Sequence, residues 1–114
     1  MKQPEKGFYY HFRHDPNGPV NDCAYEMVGT AFNTESSNVH SDDITPFLED
    51  EVVIYRPLYE TSIILKSGRN FWVRPMRMFE EMVTKEGKTF PRFQKITSPE
   101  IIKELEKIRD TMYN

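Results

Sequence analysis

Three arginines adjoin prolines at points where strands are predicted to end. Arg56 and Arg74 each precede a proline, Arg92 follows one, and all three have aromatic residues nearby. The planar guanidinium binds a carboxylate or phosphate through two parallel hydrogen bonds, and it also stacks on aromatic rings. If the three arginines converge, they form an anion-binding pocket, whose candidate ligand-binding residues are Arg56, Arg74, Arg92, Trp72, Tyr55 and Tyr59.

The alternative is that the same arginines pair with glutamates and only brace the fold. The available carboxylates are those of Glu26, Glu60, Glu80 and Glu81. Exposed ion pairs usually contribute less than about 1 kcal/mol to stability. An arginine network without a stability role therefore favours the ligand-binding interpretation.

The aromatic run over residues 8–12 also has two interpretations. One is a stacking platform for bases, formed together with Trp72. The other is an ordinary core, because alternate side chains of a strand point to the same side of a sheet. The sequence leaves both open.

Five residues of types that bind zinc lie close together in the sequence: His11, His14, Asp15, Asp22 and Cys23. Their spacing matches no recognised closed zinc site. The acidic groups at 42–43 and 49–51 lack the alternating ligands and the glycine of a calcium-binding loop. We therefore expect neither a metal site nor a cofactor.

No stretch of the sequence has the spacing of a catalytic motif. Cys23 stands outside any nucleophile motif, and the adjacent Glu80 and Glu81 point in different directions on a helix or a strand. A glycine-rich phosphate loop is absent as well. We therefore expect no catalytic residues and a protein that is not an enzyme.

The charge distribution argues against bulk DNA binding. The net charge is -3 and the pI about 5.6, whereas proteins that bind the phosphate backbone are usually basic. Residues 35–51 contain six acids and no Lys or Arg, while residues 58–114 carry a net charge of +3. This balance still allows a local site for an anionic small molecule or an RNA fragment.

Several features predict a soluble, cytoplasmic protein. The longest uncharged apolar run is far shorter than the roughly 18 residues of a membrane span. Residues 1–6 lack the apolar stretch of a secretory signal. The single cysteine cannot form an internal disulfide, which fits a reducing compartment.

The elements that must position these residues are predicted to be mainly β strands in a single domain. Val, Ile, Phe, Tyr and Trp total 30 residues, against four Leu and two Ala. We expect a small twisted antiparallel sheet or a partly open SH3-like barrel, with one short helix and a C-terminal helix. The predicted elements are strands over 7–13, 25–32 and 52–56, a hairpin from 62–65 to 71–74, a short helix over 76–82, a hairpin turning at 86–87, and an acidic loop over 33–51.

The C-terminal helix, over residues 99–113, has the clearest signals. Ser98 is a good N-cap, and Pro99 suits the first helical position. Apolar residues then recur at helical spacing and predict one stripe packed on the sheet: Ile101, Leu105, Ile108 and Met112.

The order of aromatic and arginine blocks resembles the DUF1653 family, small bacterial domains of unknown function. The blocks that carry the resemblance are Gly7–Phe12, Tyr25–Ala31, Val52–Tyr59, Trp72–Phe79 and Gly87–Phe93. The resemblance covers residues 7–96 and implies a compact β domain in the bacterial cytoplasm without an established activity. The acidic stretch over 36–51 is extra, and Asn33-Thr34 replaces the family's usual His-Thr.

Together these observations favour a binding module over an enzyme. The first hypothesis is recognition of an anionic ligand, a nucleotide, RNA fragment or carboxylate, by the arginine and aromatic residues. The alternative is a protein-interaction or oligomerisation module that uses an exposed strand edge or an apolar patch.

Overall fold

A computed structural model describes residues 5–32, 51–68 and 70–113. The predicted acidic loop over 33–51 lies outside these ranges except for Glu51, which begins a strand. The described ranges form seven strands and three helices: β1 (Gly7–His11), β2 (Ala24–Phe32), β3 (Glu51–Pro57), α1 (Ser62–Ser67), β4 (Trp72–Pro75), α2 (Met76–Phe79), β5 (Met82–Lys85), β6 (Lys88–Pro91), β7 (Phe93–Lys95) and α3 (Pro99–Met112).

The fold is mainly β and antiparallel, as the composition predicts. Five strands form one sheet in the order β4-β3-β2-β1-β7, and β5 and β6 form a separate hairpin. In the described part of the chain the two edge strands, β4 and β7, do not pair with each other. In the described residues the sheets are not closed into a barrel, which agrees with the predicted open, twisted antiparallel sheet.

The five-stranded sheet is strongly curved around Phe93. Although Phe93 belongs to the edge strand β7, its ring centroid lies 5.7 Å from that of Tyr25 on β2 and 6.1 Å from that of Tyr55 on β3. It also stacks on Phe79 of α2 at 4.5 Å. A flat sheet with strands about 4.8 Å apart would keep these residues farther from one another.

Each face of the sheet has its own hydrophobic core. On the first, which we call the aromatic face, the buried residues are Tyr9, Met27, Val53, Tyr55, Met76, Phe79 and Phe93. On the second, the helix face, they are Phe8, Ala24, Leu58, Ile96 and Leu105, with Leu105 contributed by α3. Because side chains alternate along a strand, neighbouring residues serve different cores.

The C-terminal helix forms as predicted. The Ser98 hydroxyl accepts a hydrogen bond from the Ile101 N–H at 3.4 Å, and Pro99 occupies the first turn. Leu105 is completely buried on the helix face. Of the helices in the described ranges, none combines the length and apolar character needed to cross a membrane.

The hairpin predicted over 62–74 is wrong in its first half, which is helix α1. The Thr61 hydroxyl caps the N-terminus by accepting from the Ile64 N–H at 3.3 Å. Gly68 ends the helix in the left-handed conformation, with φ 70°, and its N–H donates to the Ile64 carbonyl. These local caps outweigh the strand preference of the isoleucines, and the described residues form two short helices before α3 where one was predicted.

The segment after β4 is also shorter than predicted. Helix α2 ends at Phe79, because Glu80 has φ -87° and ψ 0° and the chain then enters β5. The predicted turn between β5 and β6 is confirmed: Glu86 and Gly87 have φ 54° and 75°, the signs that a tight two-residue hairpin requires.

Candidate anion-binding site

Arg56 lies on the helix face and is neutralised there. It is opposite Glu26 in the strand register, and its Nε lies 2.8 Å from Glu26 Oε1. The other carboxylate oxygen lies 2.8 Å from Arg109 Nη1 of α3. The guanidinium also covers the Tyr113 ring at 4.3 Å. Arg56 therefore joins the sheet to α3, which is the bracing alternative.

Arg74 lies on the aromatic face. It pairs with Val53 in the register of β3 and β4, and its Cζ is 5.5 Å from the Phe93 ring centroid. Among the described residues no carboxylate forms an ion pair with Arg74. Its Nε is buried and has no hydrogen-bond partner in the part of the chain that the structure describes. Arg74 is thus held by packing on a ring and not by an acceptor.

Arg92 lies between β6 and β7, where it contacts Glu81 and the Phe12 ring. Its Nη2 forms an ion pair with the Glu81 carboxylate, and its backbone N–H donates to the Glu81 carbonyl at 2.8 Å. Its Cζ lies 5.7 Å from the Phe12 ring. As in Arg74, the Nε is buried and finds no hydrogen-bond partner within residues 5–32, 51–68 and 70–113.

The structure adds Arg13, which the sequence interpretation missed. Its Cζ lies 5.6 Å from the centroid of the Phe12 ring, the same ring that Arg92 contacts. Arg13 has no neighbouring proline, so the pattern that selected the other arginines could not find it. The usable signal was a cation directly after the aromatic run.

His11 is near all three guanidiniums, those of Arg13, Arg74 and Arg92. Its ring lies 4.5 Å from Phe12 and 5.1 Å from Phe93. Burial, and then the positive charges of Arg13, Arg92 and Arg74, lower the pKa of His11 from 6.5 to about 4, so the imidazole is neutral at pH 7. We call the group formed by His11, Phe12, Arg13, Arg74, Arg92 and Phe93 the arginine cluster.

The remaining predicted site residues lie on the same face as Arg74. Tyr55 is buried in the core, and Trp72 packs edge-on against it at 6.0 Å. The Tyr59 and Tyr25 hydroxyls share a short hydrogen bond, and burial raises the pKa of both phenols. The aromatic face thus holds Arg74, Trp72, Tyr55 and Tyr59, whereas Arg56 lies on the opposite face.

A cavity of about 290 Å³ adjoins the arginine cluster at the β1 end. His11 and Phe12 belong to its wall, and His14 lines it while stacking on Tyr10 at 3.6 Å. The complete lining is Tyr10, His11, Phe12, His14, Pro16, Phe90, Pro91 and Gln94. Rings dominate the wall, which suits a ligand with a flat apolar part.

The potential metal ligands near β1 do not assemble. Within residues 5–32, 51–68 and 70–113, no three His, Cys, Asp or Glu side chains are close enough together to hold a metal ion. His14 Nδ1 instead contacts the Asp22 carbonyl at 2.7 Å, and the Asp22 carboxylate accepts from the Asp15 N–H.

The fold and the cluster define a small, mainly β domain that carries basic groups on an aromatic face. The chain belongs to the DUF1653 family, described as proteins of unknown function, whose sequence profile matches residues 7–95. It is similar to the crystal structure of a DUF1653 protein from Bordetella bronchiseptica, with 24% sequence identity and a TM-score of 0.53. The match covers 83% of this chain and 92% of that chain, and it supports the fold alone. No curated protein matches the chain.

Proposed function

We propose that the domain binds an anionic ligand through Arg74 and Arg92 on the aromatic face. The observation that carries the proposal is the pair of buried Nε–H groups that have no acceptor in the described residues. A buried donor without an acceptor costs about 1–3 kcal/mol, and more when it is charged. Rotation of each guanidinium would present Nε and one Nη side by side to an oxyanion, which removes that cost.

The contrast between the two faces supports this assignment. On the helix face, one carboxylate, Glu26, serves both Arg56 and Arg109, and its side chain is only 13% exposed. In the arginine cluster, one carboxylate among the described residues forms an ion pair with the three guanidiniums: that of Glu81, which pairs with Arg92 and is 44% exposed. The ring-lined cavity shares His11 and Phe12 with this cluster, although none of the three guanidiniums lines it. An excess of positive charge at the margin of such a cavity favours an anion there.

The aromatic side chains indicate what kind of group the ligand carries in addition to its anion. Base-to-ring stacking contributes about 1–3 kcal/mol per base and tolerates any base. The cavity of about 290 Å³ is at the small end of ligand pockets, so it suits one nucleotide or another small aromatic anion. A nucleotide, an end of an RNA fragment or an aromatic carboxylate is therefore the ligand class we propose.

The same residues favour binding over catalysis. The Arg13 N–H donates to His11 Nδ1 at 3.2 Å, which occupies the lone pair that a general base would need. Burial, followed by the nearby Asp22 charge, raises the pKa of Cys23, and a thiol is a far weaker nucleophile than a thiolate. A reducing, cytoplasmic location belongs to the same proposal, since Cys23 is a free thiol.

A protein-interaction module is the second candidate. It is favoured by the edge strand β4, whose outer side pairs with no strand of the described chain. Val73 on this strand is 63% exposed and Phe71 before it is 57% exposed. Exposed strand edges with apolar side chains favour pairing with another chain. A mass that rises with concentration in solution would support this candidate.

A thermal-shift screen tests the proposed function. Nucleotides, short oligonucleotides and small aromatic carboxylates are added to the full chain and to its Arg74→Met variant. A ligand at 100 times its Kd stabilises the folded state by about 2.7 kcal/mol. We expect such a shift with the native chain and its loss in Arg74→Met.

The matched control is Arg77→Met, which removes the same charge from the exposed surface of α2. This variant should retain the ligand-induced shift. Equal shifts in both variants, or none with the native chain, would remove the basis for an anion site at Arg74.

A further inference from the structure

The arginine cluster has an unbalanced charge. Its guanidiniums come from three parts of the chain: Arg13 after β1, Arg74 on β4 and Arg92 between β6 and β7. Among the described residues, Glu81 is the carboxylate that pairs with one of them, Arg92. Two positive charges are then left without an ion-paired carboxylate on a ring-lined surface.

His11 adds a neutral donor to this arrangement. Its Nδ1 accepts the hydrogen bond from the Arg13 N–H at 3.2 Å. A neutral imidazole that accepts at Nδ1 carries its proton on Nε2. The cluster therefore offers guanidinium N–H groups and one imidazole N–H, and all of them are donors.

We propose that the group recognised by the arginine cluster is the dianionic phosphate of a monoester, and not a carboxylate or a phosphodiester. This inference rests on the anion-binding function proposed above. A phosphate monoester has two negative charges, which match the net charge of +2 that the three guanidiniums and the Glu81 carboxylate leave in the cluster, and three terminal oxygens. Those oxygens can accept from Arg74, Arg92 and His11 Nε2 together, whereas a carboxylate has one charge and two oxygens.

A preference for the dianion predicts that affinity depends on pH, because the phosphate monoester itself titrates. The second pKa of a phosphate monoester is about 6, so the dianion is a minor species at pH 5 and dominates at pH 7.5. The charged groups that face His11 are Arg13, Arg74 and Arg92, with Glu81 bonded to the last. His11 is mostly neutral over this range because its pKa is lowered to about 4. Affinity should therefore rise about tenfold between pH 5 and pH 7.5.

The experiment compares three probes that share a phenyl ring: phenyl phosphate, methyl phenyl phosphate and benzoate. Calorimetric titration of the full chain at pH 5 and pH 7.5, at constant low salt, gives the Kd of each. We expect phenyl phosphate to bind about tenfold more tightly than either monoanion at pH 7.5, and to lose that advantage at pH 5.

The outcomes separate this inference from the function on which it rests. If benzoate or the diester binds as tightly as phenyl phosphate, and Arg74→Met abolishes binding, the anion site stands and the preference for a dianion is overturned. If none of the three binds, while Arg77→Met and the native chain are folded, both proposals fail.

The role of His11 is tested separately. His11→Phe retains a ring against Phe93 but removes the donor, and it should weaken phenyl phosphate binding about fivefold to tenfold without changing the selectivity order. Imidazole nitrogen chemical shifts in the native chain provide a readout that does not depend on folding of the variant. They should report a proton on Nε2 and a change at this nitrogen when phenyl phosphate is added. A proton on Nδ1, or an unchanged Nε2 signal, would overturn the donor role.

Discussion

Arg74 and Phe93 belong to opposite edges of the five-stranded sheet, yet the guanidinium carbon lies 5.5 Å from the ring centroid. This contact exists because the sheet curls until residues of β4 and β7 share one hollow. The curl brings Arg74 to the neighbourhood of His11 and Arg92, whereas the adjacent strand directs Arg56 to the other face. The curvature of the sheet, more than the sequence position of its arginines, creates the candidate site.

We expect an arginine-to-methionine substitution to change the unfolding free energy by different amounts on the two faces of the sheet. Arg74→Met retains a long side chain over Phe93 and removes a buried donor without an acceptor, so unfolding free energy should change by less than about 1 kcal/mol. Arg56→Met leaves Glu26 with one cation fewer and should cost about 1–3 kcal/mol. Urea unfolding of both variants measures the difference. A larger loss in Arg74→Met than in Arg56→Met would contradict the assignment of roles.

Glu26 should be a carboxylate whose removal is costly to stability. Its two oxygens lie 2.8 Å from Arg56 Nε and 2.8 Å from Arg109 Nη1, and its side chain is 13% exposed. Glu26→Gln removes the charge that both guanidiniums share and should lower the unfolding free energy by about 1–3 kcal/mol. Glu106→Gln, on the exposed side of α3, is the control and should change it by less than about 0.5 kcal/mol. Similar losses in the two variants would argue against a bridging role.

The separation of Arg56 from Arg74 shows where prediction from sequence ends. The start of α3 was predictable because Ser98 and Pro99 act within one turn of the residues they cap. The face on which an arginine lies depends on the pairing register, and a slip of one residue would exchange the faces. The register of β3 with β4 is fixed by contacts between distant segments, among them Val53 with Arg74.

Helix α1 was missed for a related reason. Its isoleucines favour a strand, and only the combination of the Thr61 N-cap with the Gly68 C-cap identifies a six-residue helix. The hairpin at 86–87 was predicted correctly because the glycine requirement of such a turn is local. Local rules thus predicted the N-cap of α3 and the hairpin turn, while the tertiary fold decided the composition of the site.

Acid should destabilise the protein through His11. Its pKa is about 4 in the folded state and 6.5 in the unfolded chain, so the unfolded chain binds more protons between these values. Stability is therefore lost as the pH falls from about 6.5 to about 4, by about 1–3 kcal/mol after allowance for solvent screening.

The measurement is urea unfolding at a series of pH values in that window. His11→Gln removes the group and should flatten the pH dependence relative to the native chain. His14→Gln, next to the same cavity, is the matched control and should preserve the dependence. Identical pH profiles for the native chain and His11→Gln would exclude His11 as the source.

A substitution in the turn between β5 and β6 should raise the unfolding free energy. Glu86 has φ 54°, a conformation that costs a non-glycine residue energy and that asparagine tolerates better. Glu86→Asn creates the Asn-Gly pair preferred in such turns, and we expect a gain of about 0.5–1 kcal/mol in unfolding free energy. Glu80→Asn, which acts at a residue with φ -87°, is the control and should give no such gain. A loss of stability in Glu86→Asn would mean that the glutamate side chain has a role beyond the turn.

The most direct test follows the arginine Nε–H resonances by NMR while inorganic phosphate is added at pH 7.5. The Arg74 and Arg92 signals should shift and saturate together, because an oxyanion supplies the acceptor that their Nε–H groups lack. The Arg56 signal should stay in place, because its Nε already bonds to Glu26 at 2.8 Å. Unmoved Arg74 and Arg92 signals at saturating phosphate, or a shift confined to Arg56, would contradict an anion site on the aromatic face.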